Sequence, residues 1–176
     1  MKKYEFTGET KRVELWNRTA TLHRIKATVE FGFVKVGELG GWIEKEENLS
    51  HEGKAWVCGD AKVWGNAKVC GDAKVWGNAK VWGNAKVCGD AEVCGDAEVF
   101  LASHVLVMGS VGSRNDFTTF FRDKDNEITV KCGCFLGKID KFLEKVTQTH
   151  GNNKYALVYR AAVEVAKLQI ELTERK

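Results

Sequence analysis

The chain has 176 residues, 44% of them hydrophobic, and its 27 basic and 24 acidic side chains leave a formal charge of +3. That length fits one domain with appendages, and the near balance of charge argues against nucleic acid as a default partner. No apolar run is long enough to span a bilayer. "MKKYEFTGET" has no apolar stretch behind its two lysines, so no signal peptide is expected there and the cytoplasm is the expected location.

Residues 1–48 read as a strand-rich cap. "KYEFTG", "RVELW", "ATLHRIKA" and "FGFVKVG" each carry the short alternation of strands, and "ELGGWIEKEENLS" leads into the next segment.

Residues 49–113 hold an internal repeat of six. Val recurs at 57, 63, 69, 75, 81, 87, 93, 99, 105 and 111, and Ala at 55, 61, 67, 73, 79, 85, 91 and 97, with Ser103 and Gly109 continuing the register. The unit is Ala-Lys/Glu-Val-x-Gly-Asn/Asp. Six is three strand periods, so Val returns to the same side of an extended backbone. Gly followed by Asn or Asp supplies the corner, since these residues tolerate left-handed backbone angles. Three such sides make a coil of about 18 residues per turn, stacking residues 18 apart roughly 4.8 Å from one another.

The pairing of Val57 with Ala61, Val63 with Ala67 and so on resembles the hexapeptide-repeat family, whose motif sets an aliphatic residue at i and a small one at i+4. The resemblance implies a left-handed parallel β-helix, commonly trimeric through its flat sides, and in many members an acyltransferase with a histidine as general base. "LHRIKA…FGFVKVGELGGWIEKEENLS" and "TTFFR…VKCGCFLGKIDKF…THG…KYA" also resemble a group of uncharacterised bacterial and phage β-helix proteins.

One position of the six varies. Sorted by turn it gives the columns Cys58–Trp76–Cys94, Trp64–Trp82–Phe100 and Cys70–Cys88–Leu106. Valine and alanine fill the interior, so these side chains point outward. Three stacked aromatics exceed the few hundred Å² that a monomer leaves bare as one patch. The tail or cap, another subunit, or a ligand is expected to cover Trp64, Trp82 and Phe100, with Cys70, Cys88 and Leu106 forming a second small apolar face. Six cysteines without an export signal point to free thiols in a reducing cytosol.

Residues 114–176 change character. "DFTTFFRDKDNEITVKCGCFLG" reads as a hairpin turning at "DKDNE". "KIDKFLEKVTQTHG" places Ile139, Phe142, Leu143 and Val146 on one helical face before Gly151 stops it. A second helix comes next, capped by Asn152 or Asn153, with Val158, Ala161, Ala162, Val165, Leu168 and Leu172 as its core stripe.

Chemistry is sparse. His104, the one histidine well inside the repeat, is the weak candidate for a catalytic base, although no loop leaves the coil to close over an acyl carrier. It otherwise reads as an outward residue ending the Lys68–Lys86 column. Asp60–Asn78–Asp96 and Asp72–Asp90 stack at corners, where the turn itself explains them. Cys132 and Cys134 read as two thiols on one strand face. Arg114, Arg122, Lys131, Tyr155 and Arg160 are grouped as an anion or nucleotide pocket where tail meets coil, without a P-loop or GxGxxG. The expectation is a mainly β protein: a capped left-handed parallel β-helix with a small α+β tail, needing no cofactor or metal. Its expected function is that of a non-catalytic homo-oligomer, a trimer by resemblance, acting as a phage or prophage accessory protein that inhibits a host protein or sequesters a host signalling nucleotide. The rivals are a hexapeptide-type acyltransferase and a virion-associated structural protein.

Overall fold

The computed structural model describes residues 1–172. Two antiparallel strands, β1 (Tyr4–Glu14) and β2 (Thr19–Ala27), form the cap, with a register shift between Phe6 and Thr10. β3 (Leu39–Ile43) pairs antiparallel with β2 on one side and parallel with the coil on the other. The coil strands come at intervals of six: β4 (Trp56–Val57), β5 (Lys62–Val63), β6 (Lys68–Val69), β7 (Lys74–Val75), β8 (Lys80–Val81), β9 (Lys86–Val87), β10 (Glu92–Val93) and β11 (Glu98–Val99).

These strands stack into three parallel faces: β3-β5-β8-β11, β4-β7-β10 and β6-β9. The partners Lys62↔Lys80 and Val63↔Val81 are 18 residues apart, so the spacing read from the hexads is the observed register. The result is a β-solenoid of about three turns. Val57 through Val99 and Ala55 through Ala97 are essentially inaccessible and fill the interior. The corner glycines Gly59, Gly65, Gly71, Gly77, Gly83, Gly89 and Gly95 all have φ between +61° and +72°, which a side chain would strain.

A four-stranded antiparallel sheet closes the far end: β12 (Val105–Val111), β13 (Asp116–Arg122), β14 (Ile128–Cys132) and β15 (Phe135–Lys138). Helices α1 (Ile139–His150) and α2 (Lys154–Gln169) pack on it through Phe120, Val130, Phe142, Val146, Tyr159 and Val163. Asn153 caps α2, its Oδ1 accepting from the amides of Tyr155 (2.9 Å) and Ala156 (3.1 Å). No helix among the described residues is long and apolar enough to cross a membrane.

Four expectations are corrected. "FGFVKVG" is a turn bridged only at Phe31 and Val34, because Gly32 and Gly37 take positive φ; Phe33 is left 85% exposed. The repeat stops forming coil after Val99: Val105 and Val111, although in register, lie in β12, which pairs antiparallel with β13. Cys132 ends β14 while Cys134 sits past Gly133 in the turn, so the two thiols do not share a strand face. Helix α2 buries Ala156, Tyr159, Ala162, Val163 and Ala166 and leaves Val158, Ala161, Val165 and Leu168 exposed. The small residues allow close approach; on Gly112, facing this helix, a Cβ would lie 1.9 Å from the Tyr159 hydroxyl.

Val81 is wholly buried at the middle of the stack. Val81→Ala is expected to lower stability by about 2 kcal/mol, read as a shifted urea midpoint, because neighbouring rungs cannot collapse into the gap.

Candidate functional site

The three faces of the coil meet different surroundings. On the first, Trp64 and Trp82 stack with ring centroids 5.1 Å apart and planes within 3°, and Phe100 continues the ladder at 4.9 Å. Val13, Leu15, Ala20, Leu22 and Trp42 of the cap cover Trp64, which is 5% exposed. Phe100 lies under the Arg122 guanidinium, 5.0 Å from its centroid, with the His104 ring edge-on at 4.3 Å. Trp82 between them is half-buried. Cap and tail of the same chain thus cover the two ends of the ladder.

On the third face, Cys70 and Cys88 form a disulfide across adjacent rungs, with Cα atoms 4.6 Å apart. The expected pair of free thiols is corrected there; stacking by 18 residues brings two outward cysteines to bonding distance. Leu106 leaves that column and packs against the tail core.

The second face is the floor of a cavity of about 700 Å³. That floor carries Trp56, Cys58, Lys74, Trp76, Asp90 and Glu92. The loop with Phe33 and Glu38 forms one wall; Asp116, Phe117 and Lys131 of the tail form the other. Three accessible aromatic rings, Phe33, Trp76 and Phe117, therefore converge from cap, coil and tail. Lys74 Nζ lies 4.8 Å above the Phe33 ring, and Lys131 Nζ lies 6.0 Å above Trp76. Both ammonium groups share one carboxylate, Glu92, at 3.7 and 3.3 Å. The Lys54–Asp72 pair (3.3 Å) lines the same groove. Over the whole lining, the carboxylates Glu38, Asp72, Asp90, Glu92 and Asp116 outnumber the ammonium groups Lys54, Lys74 and Lys131. Burial, with Glu38 adding to it and Lys74 opposing, raises the Cys58 thiol above its ordinary value, so the groove holds a thiol and not a thiolate.

The residues grouped in the sequence as one anion pocket separate. Lys131 lines the groove, and Arg114 borders it, its Nη1 lying 3.3 Å from where a Cβ on Gly133 would stand. Arg122 is buried in the seam between coil and tail, where Nη1 donates to Glu98 O (3.0 Å) and Nε to Asn126 Oδ1 (3.0 Å). Arg160 ties the α1–α2 connection by donating to Asn152 Oδ1 (3.1 Å), Thr147 Oγ1 (3.2 Å) and Gly151 O (3.0 Å). Tyr155 lies beside His150 in that connection, at 5.8 Å. The groove aromatics were missed because no motif joins Phe33, Trp76 and Phe117. The one trace in the sequence is a lone tryptophan in the column between Cys58 and Cys94.

His104 is fully buried, contrary to the outward position expected of it, and its Nδ1 accepts the Phe100 N–H at 3.3 Å. The chain leaves the coil at this point, so the hexad rule for outward residues no longer applies. A histidine so enclosed organises the end of the ladder and presents no base to a substrate. Asp123, Asp125 and Glu127 bring three carboxylates together, and Lys138 Nζ sits among them at 2.5, 3.3 and 2.8 Å. Burial pushes the Asp123 carboxyl up, but hydrogen bonds from Lys138, Thr129 and the amides of Glu127 and Asp125 prevail and hold it below the usual carboxylate range.

No protein-family model matches the chain, and no curated protein matches it.

Burial first, and the charge of Arg122 second, lower the pKa of His104 below its ordinary value. The unfolded chain therefore binds this proton more readily than the folded one. His104's stabilising effect is full above about pH 6.5 and is lost as pH falls from there toward its folded value. Thermal midpoints measured from pH 7.5 down to about pH 5 are expected to fall in the wild type, and the slope is expected to be shallower in His104→Gln.

Proposed function

We propose that the chain is a hexapeptide-repeat protein that binds without catalysis, and that the groove on its second face holds a nucleotide of low charge. The observation that carries this reading is the convergence of Phe33, Trp76 and Phe117, from three separate parts of the chain, on one cavity of about 700 Å³. That volume lies within the usual range for small-molecule sites. A planar base stacks on such rings whatever its identity, each stacking contact contributing about 1–3 kcal/mol. Lys74 and Lys131 share a single carboxylate and so have room for one more anionic group. Glu38, Asp90 and Asp116 are acceptors for base N–H and ribose hydroxyl donors.

The excess of carboxylates gives the specificity. A triphosphate or a nucleic acid strand would meet net like charge, whereas one phosphate between two lysines does not. The lining has no histidine, and its one thiol is protonated, so no activated nucleophile stands near the ligand. In this reading the protein works by sequestration: a phage- or prophage-borne protein that withholds a host signalling nucleotide by holding it.

Titration of intrinsic tryptophan fluorescence with nucleoside monophosphates, cyclic nucleotides and triphosphates tests this. Quenching by a singly charged nucleotide is expected, at least about tenfold weaker for the triphosphate, and lost at least about tenfold in Trp76→Ala, the range of one stacking contact. Indifference of every nucleotide to Trp76→Ala, or tightest binding of the triphosphate, would overturn the reading.

A further inference from the structure

Helix α2 is apolar on two sides, and the chain uses one. Leu157, Val158, Ala161, Val165 and Leu168 lie on the opposite side from its buried residues, and Leu168 is 87% exposed. Valines 158 and 165 alternate with Ala161 and Leu168 at intervals of three, four and three. That is the spacing at which one helix packs along another through a narrow seam. With cap and tail covering the ends of the aromatic ladder, this stripe is a row of apolar side chains that the chain leaves bare.

We propose that a second copy of this chain covers it, the two α2 helices packing antiparallel about a two-fold axis near Ala161 and Val165. In that arrangement the stripe is complementary to itself. Val158 of one copy faces Leu168 of the other, and the small Ala161 faces Val165, so the helices approach most closely at the centre of the seam. Charge selects the antiparallel sense. Lys154 stands at the start of α2 and the exposed Glu171 just beyond its end, so each lysine meets the other copy's glutamate. The positive end of each helix also lies beside the negative end of the other, whereas a parallel pair would set like ends together. Glu164, on the flank of the seam, is already paired with Lys167 at 2.9 Å and does not repel its own copy across the axis.

The sixteen residues of α2 span about 24 Å, and a single helix pair of that length buries an area at the low end for specific interfaces. The dimer is therefore concentration-dependent. Sedimentation velocity on the full chain from about 1 to about 100 µM is expected to show monomer passing into dimer. Leu168→Glu is expected to remain monomeric throughout, at least about tenfold weaker in association, with an unchanged circular dichroism spectrum because the side chain is exposed. Lys154→Glu should weaken the dimer and Glu171→Lys, added to it, should restore it. A wild type that stays monomeric over this range overturns the proposal. So does an oligomer indifferent to Leu168→Glu, or a stripe that instead carries the monomer onto phosphatidylglycerol vesicles, with binding lost in Leu168→Glu.

Discussion

Residue after residue, the coil donates its backbone N–H to a carbonyl seventeen positions further along: Trp56 to Ala73, Trp64 to Val81, Trp82 to Val99. That ladder makes each turn depend on the next, and it leaves both ends with groups that have no rung to meet. The start of the stack is closed by side chains of the cap. Lys3 Nζ donates to Ala55 O (2.8 Å), the Tyr4 hydroxyl to Leu49 O (2.8 Å), and Asn48 Nδ2 to Ala67 O (2.8 Å). At the far end, Thr119 Oγ1 receives the Glu92 amide (3.0 Å), Arg122 reaches Glu98 O, and Lys124 N bonds Asp96 O (3.0 Å). The appended strands are thus required by the coil, and their placement decides which of its faces remain open.

The coil itself was legible because a repeat states its period directly. Val and Ala positions, the glycine corners and the 18-residue stacking all derive from six letters, and the columns of outward residues come from simple counting. Legibility stopped where long-range packing decides. Nothing near Trp64 announces that Leu22 will lie on it, since the two are joined only through the return of β2 across the first face. The two sides of α2 were both apolar in pattern, and the choice between them rested on side-chain size, which periodicity does not weigh. His104 and Val105 kept the hexad register after the coil had ended. Phe33 imitated a strand residue because alternation is shared by strands and by short glycine-flanked turns. Cys70 and Cys88 were placed side by side by the counting, yet read as thiols from the absence of an export signal.

The groove owes its electrostatics to the same repeat. The outward Lys/Glu position and the corner Asp/Asn position each contribute one charged or polar group per rung, so the floor carries Lys74 with Glu92 and Asp72 with Asp90 in parallel rows. Lys74 balances Glu92 and Lys54 balances Asp72, while Asp90 of the floor and Glu38 and Asp116 of the walls tip the lining negative. Trp76 stands beside the Lys74–Glu92 row with Lys131 over it, and Phe33 lies under Lys74, so the proposed ligand would meet flat faces next to these ammonium groups.

The walls of the groove belong to cap and tail while its floor belongs to the coil, and that division has a geometric consequence. Each added turn of 18 residues would move tail from cap by one strand spacing, about 4.8 Å, without altering a side chain on either wall. The gap is therefore quantised. Duplication or loss of three hexads would resize it in whole steps while leaving the rings and charges of both walls unchanged.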